Sequence, residues 1–213
     1  MLVASGADRG RSAVPASAQI AASLSVSSDD KFRSRSLSDG RPIGTFDFSY
    51  DDASGFYAGG SATGVDTLHS GAKLLGFQEY IGYAQRTDSG PALDAGLTNA
   101  RYTHYFSGNY GANYTELYVG IITNHLSTHI RYSPDYFKHS VSTLYADADA
   151  VVKPYKNWQM NGHVGALTQI SGPRAPGTSR AHYDWRLGVA TEVGAFDLRL
   201  AWTGAVPGGD YYD

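Results

Sequence analysis

The sequence predicts an all-β protein, an antiparallel up-and-down meander of about eleven strands. Three observations carry that reading. Apolar and polar residues alternate with a two-residue period through most of the chain, and clusters of Gly, Asp, Ser and Pro interrupt them at the spacing of turns. The composition agrees: of 213 residues 13% are aromatic, with 16 Tyr and 25 Gly, and only 17% are charged. Aromatic side chains fit a pleated surface and Gly serves turns. No segment has a 3.6-residue period. A helix would scatter, at about 100° per residue, the charges that a two-residue period gathers on one side.

The chain supports this element by element. Residues 1–18 suit neither a strand nor a core helix. Ala16-Ser17-Ala18 before Gln19 reads like the end of a secretory signal peptide, although Asp8, Arg9 and Arg11 interrupt the apolar stretch such a signal needs. We read this segment as a signal remnant, with a disordered tail as the alternative, and residues 19–213 as one domain. In the first strand Ile20, Ala22, Leu24 and Val26 oppose Ser23, Ser25 and Ser27. A hairpin follows: Phe46, Phe48 and Tyr50 alternate with Thr45, Asp47 and Ser49, then Asp51-Asp52-Ala53-Ser54-Gly55 supplies turn chemistry. Phe56, Ala58, Gly60 and Ala62 resume the alternation.

The fourth strand, about 73–86, places Leu75, Phe77, Ile81 and Tyr83 on one face with Glu79 in their row, so either the strand bulges or Glu79 lies near a headgroup. The fifth to ninth span about 91–104, 113–123, 126–133, 142–153 and 157–169. The last two are the clearest: Tyr183, Trp185, Leu187, Val189 and Val193 alternate with Asp184, Arg186, Gly188 and Glu192, and Phe196, Leu198, Leu200 and Trp202 with Asp197, Arg199 and Thr203. Connections alternate between tight ones, such as Val193-Gly194-Ala195, and longer polar ones, such as residues 171–181 and the region of 87–90. Residues 107–114 and 135–140 fit either long strands or loops.

The opening third also resembles a known family. Phe32-Arg33, Ser36, Ser38, Gly40 and Pro42, then Tyr50 and Ser54-Gly55-Phe56-Tyr57-Ala58-Gly59, are similar to the signature of the TorF-like family of proteobacterial outer-membrane proteins, named for porins but of unknown function. Beyond that third the resemblance is architectural. It implies an outer-membrane β-barrel in a Gram-negative bacterium. Ser34 departs from the pattern, which has Gly there, and this argues against a tight backbone feature at that point.

A membrane barrel is compatible with the rest of the chain. There is no run of about 18 apolar residues to make a transmembrane helix, but a barrel crosses with alternating segments of roughly 10, and its mean hydropathy, here −0.31, can be that of a soluble protein. Single-chain bacterial barrels have even strand numbers. Eleven strands followed by the loop-like Pro207–Asp213 therefore lead us to expect a twelfth, closing strand that this chain lacks. Tyr50, Tyr83, Tyr132, Tyr183 and Trp202 stand near strand ends, as girdle residues at headgroup depth do. A soluble β-sandwich is the competing architecture.

The polar rows are the functional lead. Asp47, Asp94, Glu116, His129, Arg131, Asp147, Asp149, His163, Asp184, Arg186, Glu192, Asp197 and Arg199 would line the lumen. Their carboxylates would either favour cations in an open pore or pair with Arg131, Arg186 and Arg199 in a plugged polar core. His125 and His129, four apart, would stand about 13 Å apart on a strand, too far for one ion, and no metal site or cofactor is expected. Ser142 with His139 or His163 is the nearest approach to a nucleophile and base, but no G-x-S-x-G elbow accompanies it, so an enzyme is not expected. A net charge of −3 gives no reason to expect nucleic acid.

The function expected is diffusion of small hydrophilic solutes through an outer-membrane barrel with a mild cation preference, outer-membrane lipid being its surroundings. The alternatives are a non-conducting structural or ligand-binding barrel acting through its loops, and an outer-membrane hydrolase.

Overall fold

The computed structural model describes residues 18–67, 71–103, 113–174, 176–177 and 179–207. Eleven strands form one sheet: β1 (Gln19–Ser27), β4 (Ile43–Asp51), β5 (Phe56–Asp66), β6 (Ala72–Arg86), β7 (Ala92–Tyr102), β8 (Tyr114–Ile122), β9 (Leu126–Ser133), β10 (Ser142–Tyr155), β11 (Trp158–Ser171), β12 (Ala181–Val193) and β13 (Phe196–Val206). The two remaining strands, β2 (Lys31–Phe32) and β3 (Arg35–Ser36), pair only with each other. Within the large sheet each strand is antiparallel to the next in the chain. The expected strands are thus all present, and among the described residues there is no helix.

The sheet does not close. β1 and β13 are its edges, so the described residues form an open, curled sheet rather than the expected barrel. Eleven strands are joined by ten antiparallel pairings, an even number, so both edge strands run the same way: β1 starts at Gln19 opposite Asp51, at the end where β13 leaves the turn at Gly194. Both faces of each edge strand are largely exposed.

The two ends differ in their connections. At one end lie the short turns at 52–55, 87–91, 123–125, 156–157 and 194–195; at the other the chain passes from β1 to β4, β7 to β8, β9 to β10 and β11 to β12, and also makes the short β5–β6 link between Asp66 and Ala72. Residues 87–90 belong to the short end, closed by Thr87 N–H to Pro91 C=O at 2.8 Å, and so are not one of the longer connections. Residues 135–140 are a loop, and of 107–114 only 113 and 114 are described, the latter opening β8. The supposed signal remnant lies outside the described residues apart from residue 18.

Polarity is inverted relative to a soluble protein. The outward rows are apolar and exposed, among them Leu117 at 56% and Val119 at 59%, whereas Asp94, Glu116, His129, Asp147 and Asp184 are buried on the concave side. One expected face is wrong. A bulge between the Thr63–Gly76 and Gly64–Leu74 pairs shifts the phase of β6, so Leu74 points out and Leu75 is buried. Glu79 keeps its place on the outward row; the bulge lies lower in the strand.

An apolar core fills the concave side at the long-loop end: Leu37, Ile43, Val65, Leu75, Ala100, Tyr102, Tyr114, Tyr136, Phe137, Tyr145 and Leu167, with Phe32 packed against it. Leu37 and Phe32 come from the segment between β1 and β4, which folds inward. At its tip Arg33 and Ser34 both have positive φ, 48° and 61°, the sign that a two-residue hairpin turn demands. The tight feature is present despite the absence of Gly. Left-handed backbone costs an L-residue about 1–2 kcal/mol, and the contacts of the tip, described next, offset it.

Candidate functional site

Arg33 organises the interior. Its Nη2 lies 2.7 and 2.9 Å from the two carboxylate oxygens of Glu116 on β8, and its guanidinium lies 3.7 Å from the Tyr145 ring centre, 4.7 Å from Phe32 and 5.1 Å from Tyr136. Ser34 Oγ donates to the Trp185 carbonyl on β12 at 3.3 Å. Both charged side chains are almost wholly buried, at 7% and 4% exposure. Burial works against the guanidinium charge, but Glu116 and the surrounding Tyr136, Tyr145 and Tyr114 together outweigh it and hold the pKa above arginine's ordinary value. Behind the tip, Asp29 Oδ1 accepts from the Ser36 and Ser38 hydroxyls at 2.5 and 2.8 Å, which braces the loop.

Below this plug lies a cavity of about 1030 Å³ that reaches the short-turn rim at Asp52, Gly55, Thr123 and His125. Two similar relays cross its wall. In one, His129 on β9 stands between Asp94 on β7, at 3.3 Å, and Asp147 on β10, at 3.4 Å; Arg131 Nε donates to Asp147 at 2.8 Å, and Tyr57 on β5 bonds Asp94 and the Tyr118 hydroxyl. In the other, His163 on β11 stands between Asp149, at 2.9 Å, and Asp184 on β12, at 3.2 Å; Arg186 reaches Asp149 at 3.4 Å, and the Tyr145 hydroxyl donates to Asp184 at 3.1 Å. Each carboxylate pair is thus bridged by an imidazole and flanked by a guanidinium and a phenol. Buried polar groups are stable when mutually satisfied in this way.

Of the sequence-derived candidates, Asp47, Asp94, Glu116, His129, Arg131, Asp147, Asp149, His163, Asp184, Arg186 and Arg199 line this cavity. Glu192 and Asp197 do not; they face each other across the exposed β12–β13 turn, where Asp197 pairs with Arg199 at 2.7 Å. The carboxylates are paired rather than presented bare. Asp147 meets Arg131, Asp149 meets Arg186, and Glu116 meets an arginine from outside the sheet. Arg33 and the inward phenols Tyr57, Tyr118 and Tyr145 were not among the candidates. The phenols had a signal, since they fall in phase with Glu116 and Asp147.

The remaining candidates disperse. His125 lies in the β8–β9 turn and His129 in the cavity wall. Ser142 Oγ is 2.6 Å from Ser171 Oγ, and His139 lies 3.3 Å from Asp135 in an exposed loop. Among the described residues no group of three or more His, Cys, Asp or Glu could hold a metal ion. At the rim, Asp52 accepts from the Ser54 N–H at 2.9 Å and the Tyr50 hydroxyl at 3.1 Å; the Ser54 hydroxyl first, then these two bonds, hold its pKa below the ordinary carboxylate value.

A family model matches residues 12–209, which include the whole of this sheet and its plug. The chain belongs to the Gcw_chp family, bacterial proteins of unknown function. No curated protein and no solved structure matches it. For this Gcw_chp protein the function therefore has to be argued from geometry.

Proposed function

We propose that this Gcw_chp protein is an outer-membrane β-barrel whose polar interior admits small hydrophilic solutes from the short-turn side and is closed by its inward loop at the other. The observation that carries this reading is the inverted polarity: apolar side chains outward, ionised pairs inward. Aromatic residues at both rims support it, with Phe56, Tyr83, Trp158 and Phe196 exposed toward the short turns and Tyr132 and Tyr183 toward the long loops, where amphipathic rings meet headgroups. The likeness of the opening third to TorF-like porins agrees with the same location.

The barrel would be completed by one further strand. Because β1 and β13 run in the same direction, a single strand of opposite direction is antiparallel to both, satisfies both unpaired edges and makes an even number. Between the open pore and the non-conducting barrel, the Arg33–Glu116 pair and its aromatic packing favour the latter, with carboxylates neutralised rather than available to select cations. An open pore corresponds to a state in which residues 29–41 have left the interior.

The test joins fractionation to planar-bilayer recording of the full-length natural protein. Recovery in the outer membrane with no spontaneous conductance steps is the expected result. Steady open steps from the unmodified protein would overturn the closed reading, and recovery in a soluble fraction would overturn the membrane one.

A further inference from the structure

Apart from Asp66, the last residue of β5, the charged side chains on the outward rows of the described sheet are Glu79 and Arg101. Glu79 is at the middle of β6 and Arg101 is next to last on β7, diagonally opposite across the Glu79–Asn99 and Phe77–Arg101 pairs. Arg101 Nε donates to Asn99 Oδ1 at 3.1 Å, and Asn99 Nδ2 donates to Thr115 Oγ1 on β8 at 2.7 Å. Glu79 has no hydrogen-bonding or ionic partner among the described residues. A polar patch thus crosses three strands in the middle of an apolar surface.

Beside it the surface is hollow. Outward positions of β5 are small, Gly60 and Ala62, while Phe46 and Phe48 on β4 rise on one side and Phe77 on β6 on the other. The resulting groove holds about 530 Å³ and ends at Glu79, Asn99 and Arg101. On the membrane reading, on which this inference rests, the groove and the charges face lipid. A mid-belt carboxylate without a counter-charge is costly there.

We infer that this face is where a second copy of the chain docks. An anionic lipid headgroup would suit Arg101 but be repelled by Glu79. A two-fold related copy meets both needs, because an isologous interface places residue i against j and j against i, so each Glu79 faces the other's Arg101. The small residues of β5 let the two sheets approach closely and the phenyl ridges fill the hollow, while the charges supply polar pairing in a medium that offers no water. The interface is therefore formed by β4–β7, and the cavity is left untouched.

The test uses the full chain purified from membranes in mild detergent, with mass read by light scattering and folding by the heat-dependent shift in gel mobility. The wild type is expected as a dimer. Glu79→Arg should shift it to monomer by more than tenfold in dissociation constant, and Glu79→Arg with Arg101→Glu should restore the dimer. If Glu79→Arg does not fold, Glu79→Gln decides, with a smaller shift in the same direction. A folded wild-type monomer, a dimer indifferent to Glu79→Gln and Glu79→Arg, or a monomer retaining phospholipid through Arg101 would each overturn the proposal. Failure of the membrane reading would appear separately, as wild-type protein soluble without detergent.

Discussion

Arg33, at the tip of an inward hairpin, is bound through one nitrogen to both carboxylate oxygens of Glu116, 83 residues along the chain. The pair is buried and the guanidinium is stacked against Tyr145. Removing one partner leaves the other charge buried and unmatched, which costs about 3–5 kcal/mol. Glu116→Gln should therefore destabilise the plug by an amount of that order. Replacing both, Arg33→Met with Glu116→Leu, should cost less than the single change. Urea titration of the folded protein in detergent measures both. On the proposed function the single variant also releases the loop, so bilayer recordings should show steps that the wild type lacks.

Inward phenols lie directly over glycines of the neighbouring strand, which is why those positions hold no side chain. A Cβ on Gly165 would overlap the Tyr145 hydroxyl, and one on Gly96 the Tyr118 hydroxyl. Gly162, on the same strand as Gly165, would place its Cβ no closer than 3.7 Å to Leu187. Gly165→Ala should lose about 1–3 kcal/mol by overpacking, with Tyr145 displaced from Asp184, whereas Gly162→Ala should stay within about 0.5 kcal/mol. Equal effects at the two positions would contradict the packing described.

The rim offers a test in pH. Asp52 has its pKa lowered most by the Ser54 hydroxyl, then by the Ser54 N–H and the Tyr50 hydroxyl. A carboxylate depressed in the folded state adds stability that is present above its unfolded value, about 3.9, and lost as pH falls through the folded one. Ser54→Ala should raise the Asp52 midpoint toward the ordinary value and shrink that acid-sensitive contribution, as read by carboxyl-carbon NMR titration. An unchanged midpoint would mean that the Asp52–Ser54 turn does not persist in solution.

The strands were legible because a two-residue period is local: Leu117, Val119 and Ile121 announce their face without knowledge of any partner. Most of the cavity wall followed, since one face being apolar fixes the other as inward. What sequence did not show depends on contacts distant in the chain. Lys31–Ser36 is too short to alternate, so the hairpin carrying Arg33 was visible only as a family signature. The meeting of Arg33 with Glu116 is a matter of curvature, which no period encodes. Leu75 was misplaced because a bulge shifts phase without leaving a mark in its own residues. Glu192 and Asp197 have the right phase but lie too close to a tight turn to reach the cavity. Closure was also beyond reach of the pattern, because strand counting tells how many edges exist and not what covers them.

The membrane reading can be tested at one outward position. Val119 lies in mid-β8 and is 59% exposed. If that face meets water, Val119→Arg removes an exposed apolar group and changes stability by no more than about 0.5 kcal/mol. If it meets hydrocarbon, arginine near the midplane costs roughly 2–4 kcal/mol. The same change at the rim, Tyr132→Arg, should cost only about 0–1 kcal/mol, because a long cationic side chain there reaches the headgroups. Folding titrations into lipid vesicles separate the two cases, and the membrane reading requires a clear gradient from Val119 to Tyr132. Two near-zero values would instead make the apolar face a soluble protein's surface, and an extended apolar surface of that kind would need a protein partner to cover it.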